Sequence, residues 1–150
     1  MVTGTLEMTA LEILCDLIAE FEGCELESYL CPAGVATIGY GQTGKDIRLG
    51  MKWSQEHAND MLLKRAQQAI NEAIDASPVL RYQNAEKIAA ISDMIYNIGI
   101  NAYRKSTLKK RVDATDWESA KTELMRWTKA KGKVLPGLVK RRHKEAELLG

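Results

Sequence analysis

The sequence predicts an α+β fold in a single domain, residues 1–150, in which a long helix joins a small antiparallel-sheet lobe to a larger helical lobe. Apolar residues recur at helical spacing along most of the chain, whereas a glycine-rich stretch near the N-terminus holds short strand-like pieces. Strands and helices do not alternate, so the two kinds of element are expected to segregate. We place the small lobe at about 22–53 and the helical lobe at about 78–150, together with the N-terminal helix.

The first helix and the strand region are marked by local signals. Thr9 and Glu12 fit a capping box that opens a helix, and Gly23 ends it, which leaves Glu22 at its last turn. After a turn containing Pro32 and Gly34, residues 35–41 are predicted to form a strand. If Ile38 and Tyr40 face the core, the period of two directs Thr37 to the opposite face, toward Glu22.

Two helices follow, and each has a recognisable beginning and end. Ser54 caps a helix predicted to run to about Asp75, long enough to connect the two lobes. Asn84 opens the next helix, whose apolar stripe ends at Gly99 and marks it as the centre of the helical lobe.

The last third of the chain predicts three shorter helices. One lies near 106–112, a second is opened by a capping box of Thr115 and Glu118 and broken at 131–133, and the last begins at Pro136. The apolar face of the second helix is expected to carry Trp117, Ala120, Leu124 and Trp127. The corresponding face of the last helix is expected to carry Val139, His143 and Ala146.

The composition excludes several classes of protein. Hydrophobic residues at 45% and charged residues at 27% are ordinary for a folded domain and argue against disorder. The net charge of +1 hides an asymmetry, because residues 1–100 hold 7 Lys and Arg against 14 Asp and Glu, whereas residues 101–150 hold 14 against 6. The basic third lacks an aromatic platform for single-stranded nucleic acid, so we expect mainly solvated helix faces with a modest attraction to anionic envelope polymers, and no nucleic-acid partner.

The N-terminus and the cysteines indicate in which cellular compartment the chain is expected to be made. The apolar run that ends at Phe21 is broken by acidic residues, so neither a signal peptide nor membrane insertion is expected. Three cysteines without metal-type spacing suit a reducing compartment, although the sequence leaves a bridge between Cys24 and Cys31 open. His57 and His143 have no ligand-like partners nearby in sequence, so no metal and no cofactor is predicted.

The residues with catalytic chemistry are Glu22, Cys31 and Thr37. Hydrolysis of a glycosidic bond needs a proton donor for the leaving oxygen, and a carboxylic acid in a partly dry cleft keeps its proton near neutral pH because burial disfavours the anion. The hydroxyl of Thr37 can both donate and accept a hydrogen bond, so it can hold a water molecule for attack. Glu22 is the candidate general acid.

The spacing Glu22, Cys31, Thr37 resembles the signature of the phage-type lysozymes, or endolysins, of glycoside hydrolase family 24, which is Glu, eight residues, Asp or sometimes Cys, five residues, Thr. The segment 37–44, TIGYGQTG, is also similar to the family, as are three later motifs. These are Asn97-Ile98-Gly99, Arg126-Trp127, and Gly137-Leu138 followed by Arg141-Arg142.

The resemblance implies a lysozyme-like fold and a muramidase that cleaves the β-1,4 bond between N-acetylmuramic acid and N-acetylglucosamine in peptidoglycan, leading to host cell lysis. It implies that Tyr96 and Asn97 line the saccharide groove with Tyr40 and Gly41, and that a C-terminal arginine, Arg141 or Arg142, pairs with Glu22. Gln42 stands where relatives often have a histidine. The resemblance further implies a monomer that stays in the host cytoplasm before lysis and reaches the wall through a holin.

Cys31 leaves two mechanisms open, because a thiol stands where most relatives have a carboxylate. In one, Cys31 is largely a small polarizable wall of the site, Glu22 and Thr37 carry the attack by water, and the configuration at the anomeric carbon is inverted. In the other, a Cys31 thiolate attacks the sugar and the configuration is retained. An ionised Glu22 nearby is expected to raise the pKa of the thiol above its usual value of ~8.5.

Two rival functions are consistent with the same residues. A lytic transglycosylase uses the sugar's own hydroxyl in place of water and forms an anhydro product. A peptidoglycan-binding module would keep the groove but lose turnover because of Cys31.

Overall fold

The computed structural model describes residues 8–150. In chain order it contains α1 (Ala10–Glu22), β1 (Glu25–Leu30), β2 (Ala36–Gly39), α2 (Gln55–Ala76), a 3-10 helix (Pro78–Tyr82), α3 (Ala85–Ile98), α4 (Ile100–Lys105), α5 (Thr107–Asp113), α6 (Trp117–Leu124), β3 (Lys129–Ala130), β4 (Lys133–Val134) and α7 (Pro136–Leu148). The predicted α+β class is confirmed, since β1 and β2 form a small antiparallel sheet and most other elements are helical.

The first helix is held by the predicted capping box. The hydroxyl of Thr9 accepts a hydrogen bond from the backbone N–H of Glu12 at 3.1 Å, and the Glu12 carboxylate accepts from the backbone N–H of Thr9 at 3.3 Å. Gly23 ends the helix with a positive φ of 66° and donates its N–H to the carbonyl of Ala19. Glu22 is therefore the last residue of α1, where its side chain can extend past the helix end.

The strand after the turn is shorter than predicted. It ends at Gly39, because Gly39 and Gly41 have φ of +66° and +78°, which turn the chain out of the extended conformation. The alternation expected for Tyr40 therefore fails: Tyr40 is only half-buried, whereas Thr37 is 4% exposed and Ile38 is fully buried. Thr37 lies opposite Tyr29 in the sheet.

Helices α2 and α3 form the structural centre. Ser54 caps α2, accepting from the backbone N–H of His57 at 3.0 Å, and the 22 residues of α2 give a rod about 33 Å long. Asn84 caps α3, and all seven of its residues from 89 to 95 are buried. Because α1, α2 and α7 all pack on α3, this helix can join the end of α1 to the inner face of α7.

Two local predictions in the last third are wrong. Asp116, and not Thr115, caps α6, because Thr115 has a positive φ of 54° and the Asp116 carboxylate accepts from Ser119. Residues 131–133 lie in a second hairpin formed by β3 and β4, where only a helix break was predicted. The 3-10 helix and α4 were not predicted.

The inner face of α7 also differs from the prediction. His143 is exposed and Val139 and Ala146 are half-buried, while the buried positions are charged. These buried residues are Arg141, Arg142 and Glu145. Charged side chains occupy this face because they pair with one another and with α3.

Within residues 8–150, no helix combines the length and the apolar character needed to span a membrane.

Candidate active site

The two carboxylate oxygens of Glu22 have different surroundings. Oε2 accepts a hydrogen bond from Nη1 of Arg141 at 2.7 Å. Oε1 lies over the backbone of Gly41, so close that a Cβ atom built on Gly41 would stand 2.7 Å from it. The Glu22 side chain remains 24% exposed, so it is held by Arg141 yet open to a ligand.

Arg141 is the arginine that pairs with the acid. Asp93, fully buried on α3, binds it at two points, Oδ2 to Nε at 2.9 Å and Oδ1 to Nη2 at 2.8 Å. The guanidinium also lies 5.7 Å from the centre of the Phe21 ring. Burial favours the neutral form of Arg141, but Asp93 and Glu22 outweigh it and raise the pKa further above its usual range.

Arg142 points to a different partner. Its Nε lies 2.8 Å from Oε1 of Glu145, with an orientation too poor for a hydrogen bond between those atoms, and its Nη2 donates to Oε2 at 3.1 Å. Both side chains are fully buried. Sequence reasoning missed Asp93 and Glu145, although an aspartate inside the most apolar helix of the chain is a signal that could have found Asp93.

Cys31 and Thr37 lie together beside the turn between β1 and β2. The backbone N–H of Val35 lowers the pKa of the Cys31 thiol, desolvation opposes this, and the backbone N–H of Ala33 lowers the pKa further. The expectation that this pKa is raised is therefore wrong. The Thr37 hydroxyl donates to the carbonyl of Val35 at 2.9 Å, which leaves its lone pairs free to accept. All three cysteines of the chain are free thiols.

Tyr29 links the two halves of the candidate site electrostatically. Burial raises the pKa of its phenol, and the negative charges of Glu22, Glu25 and Cys31 raise it further. The side chain therefore stands within the fields of both Glu22 and Cys31 and stays neutral near physiological pH.

The Tyr96 side chain is held in place by hydrogen bonds. Gln42 donates its amide N–H to the Tyr96 hydroxyl at 2.8 Å, and that hydroxyl donates to the carbonyl of Tyr40 at 2.6 Å. The guanidinium of Arg65 lies 5.4 Å from the centre of the Tyr96 ring. Burial raises the pKa of Tyr96, so the phenol keeps its proton. Tyr96 is thus engaged at both its hydroxyl and its ring.

Three of the four predicted substrate contacts share one cavity of about 330 Å³. Its lining consists of Gly41, Gln42, Thr43, Arg65, Tyr96, Asn97, Ile98 and Gly99. The side chain of Tyr40 lies outside it and exchanges hydrogen bonds with Gln55 and Asn59. A wider depression of about 700 Å³, between α1 and α7, contains none of the predicted site residues.

Residues 8–150 contain no group of three or more His, Cys, Asp or Glu placed to hold a metal ion. His57 instead packs edge-on against Trp53, with ring centres 4.7 Å apart.

Comparison with known proteins finds one family. The phage lysozyme family profile matches residues 19–145. An endolysin from Acyrthosiphon pisum secondary endosymbiont phage 1 is 38% identical over 136 residues, which cover 88% of this chain and 91% of that protein.

Solved structures agree. The endolysin from Escherichia coli O157:H7 phage FAHEc1 superposes with a TM-score of 0.80 at 32% identity, covering 99% of this chain and 96% of the other. The muramidase domain of SpmX from Asticaccaulis excentricus gives a TM-score of 0.77 at 27% identity, covering 91% and 93%.

Proposed function

We propose, because this chain belongs to the phage lysozyme family, that Glu22 is the general acid with which the protein hydrolyses peptidoglycan. The protein is a glycoside hydrolase, a peptidoglycan-hydrolysing lysozyme. The bond cleaved is the β-1,4 link between N-acetylmuramic acid and N-acetylglucosamine. One observation carries the assignment: Arg141 holds one oxygen of Glu22 while the other lies over a glycine beside the groove.

The geometry favours Oε1 as the oxygen that carries the proton. Oε2 accepts a short hydrogen bond from a cation and is best left unprotonated. Oε1 lies against the backbone of Gly41, whose missing side chain leaves room for the carboxylate at the edge of the cavity. A proton transferred from Oε1 to the glycosidic oxygen lets the leaving sugar depart as an alcohol.

Thr37 and Cys31 support the attack on the anomeric carbon. The Thr37 oxygen, whose hydrogen is directed to Val35, can accept a hydrogen bond from a water molecule and orient it. The lowered pKa of Cys31 increases the thiolate fraction near neutral pH, and the thiolate can take the proton of that water. We therefore favour water attack with inversion over a covalent sugar–cysteine intermediate.

The saccharide groove is proposed to run along the cavity lined by Gly41, Tyr96 and Asn97. Asn97 can hydrogen-bond sugar hydroxyls or an acetamido group. Since the ring and hydroxyl of Tyr96 are already engaged by Arg65 and Gln42, Tyr96 acts as a fixed wall of the groove rather than as a free stacking surface.

The site of action is the bacterial cell wall. We propose that the protein is held in the host cytoplasm until a holin releases it, and that it works as a monomer.

The test is a lysis assay on purified sacculi with wild type and Glu22→Gln. General acid catalysis contributes roughly 10²–10⁴-fold, so the variant should lose activity by at least about 100-fold while still pelleting with peptidoglycan and keeping its unfolding temperature. Lysis by Glu22→Gln at the wild-type rate refutes the assignment. In the same digests, a product lighter by one water identifies a transglycosylase, and NMR of the first-formed anomer distinguishes inversion from retention.

A further inference from the structure

We propose that Asp93 is a positioning residue for this reaction, whose buried carboxylate fixes the guanidinium of Arg141 and balances its charge, so that Arg141 holds Glu22 in place without adding a net positive charge beside it. The proposal rests on the assignment of Glu22 as general acid.

The hydrogen bonds make the orientation of Arg141 depend on Asp93. Nε and Nη2 are both bound by Asp93, at 2.9 and 2.8 Å, in a two-point contact that fixes the plane of the guanidinium. Nη1 is then left to reach Oε2 of Glu22 at 2.7 Å. The Phe21 ring, 5.7 Å from the guanidinium carbon, lies against this group.

The charges explain why a carboxylate is needed at position 93. A lone arginine beside Glu22 would stabilise the anion, which is the wrong form for a proton donor. Burial disfavours the charged form of Asp93, but the hydrogen bonds and charge of Arg141 prevail and lower the pKa, so Asp93 is anionic at neutral pH. The opposite charges of Asp93 and Arg141 therefore nearly cancel at the position of Glu22.

Glu145 lies beside the same pair in a different electrostatic environment. Burial raises its pKa well above the usual range, and the hydrogen bond to Asp93 and its negative charge raise it further. Glu145 therefore binds a proton more strongly than Asp93, whose pKa is lowered. Its ion pair is with Arg142, which makes it a matched control for the pair of Asp93 and Arg141.

Two tyrosines from the other packed elements also lie within the field of Glu22. Tyr29 from β1 and Tyr96 from α3 both have a raised pKa, with burial as the main cause, and are neutral. Arg65 from α2 lies over the Tyr96 ring and also pairs with Glu72 at 3.3 Å. None of these groups contacts the Asp93 carboxylate through the hydrogen bonds described above.

The experiment compares the pH dependence of kcat in wild type, Asp93→Asn and Glu145→Gln, with soluble peptidoglycan fragments as substrate. Asp93→Asn leaves the positive charge of Arg141 unbalanced beside the general acid, and a positive charge favours the anionic form of an acid, so the alkaline limb of the profile should move down by about one pH unit. Glu145→Gln keeps the two-point contact between Asp93 and Arg141, so its alkaline limb should stay at the wild-type position.

Asp93→Ser is the second variant, because it removes the same charge and leaves room for a water molecule beside Arg141. Thermal unfolding of each variant verifies folding. A folded Asp93→Asn or Asp93→Ser with the wild-type alkaline limb overturns the proposal, as does an equal shift in Glu145→Gln. Loss of activity without a shift would assign Asp93 a merely structural role and also overturns it.

The activity of Glu22→Gln distinguishes a failure of the role proposed for Asp93 from a failure of the assignment of Glu22 as general acid. If Glu22→Gln is inactive and the Asp93 variants show no shift, only the role of Asp93 is refuted. If Glu22→Gln is active, the assignment of the acid itself is wrong.

Discussion

Replacing Gly41 by alanine should displace the catalytic carboxylate by a distance that can be worked out. The new Cβ would stand 2.7 Å from Oε1 and 3.0 Å from Cδ of Glu22. Ordinary contact begins at 3.4 Å, which exceeds 2.7 Å by about 0.7 Å, so the carboxylate must retreat by that amount. The retreat is opposed by Arg141, which holds the other oxygen at 2.7 Å.

The expected kinetic effect follows from this displacement. A misplacement of about 1 Å can lower a rate by about 100-fold, so we expect Gly41→Ala to lower kcat by roughly 10- to 100-fold. The variant should also lose about 1–2 kcal/mol of unfolding free energy, because Gly41 has a φ of +78°, which disfavours a side chain.

Gly50→Ala is the matched control. Gly50 has a φ of +88°, and a Cβ there meets nothing within 4 Å, so it carries the backbone penalty without the clash. Initial lysis rates and denaturant unfolding of both variants separate the two effects. If Gly41→Ala is as active as Gly50→Ala at equal folded fraction, Oε1 of Glu22 is not positioned against this glycine during catalysis.

Two further outcomes can be checked on the same protein. Alkylation of Cys31 by iodoacetamide, followed by mass spectrometry, should begin at lower pH than alkylation of Cys15. A backbone N–H group lowers the pKa of Cys31, whereas burial raises the pKa of Cys15. The reverse order would contradict the assigned environment of Cys31. Tyr103→Phe should lower the unfolding free energy by about 1–3 kcal/mol with little change in kcat, because it leaves the buried hydroxyl of Ser77 without its 2.8 Å partner. Tyr82→Phe, at an 84% exposed tyrosine, is its control and should change stability by less than about 0.5 kcal/mol, and equal losses in the two variants would argue against the buried hydrogen bond.

The features that depend on neighbouring residues were predictable from the sequence. The caps Thr9, Ser54 and Asn84 begin helices as expected, and Gly23 places Glu22 at a helix end. Each signal acts within one helical turn, so local chemistry decides it.

The features that depend on distant partners were not predictable. Strand alternation predicts that Thr37 faces away from Ile38 and Tyr40, yet Thr37 and Ile38 are both buried and Tyr40 is half-buried, because Gly39 and Gly41 turn the chain on either side of Tyr40. The choice between Arg141 and Arg142 was undetermined, since these adjacent residues have the same charge and only the position of Asp93 on α3 distinguishes them. The sequence alone does not show which residues of α3 and α7 lie next to each other.

The contact between Glu22 and Arg141 also bears on the order of events in folding. The two residues stand 119 positions apart in sequence, so their encounter is among the least local in the chain and is expected to form late. A chain that has built its sheet and first helices but has not yet docked α7 holds its carboxylate without a guanidinium to orient it. Hydrolytic competence should therefore emerge with the final assembly step, after the earlier collapse of the chain.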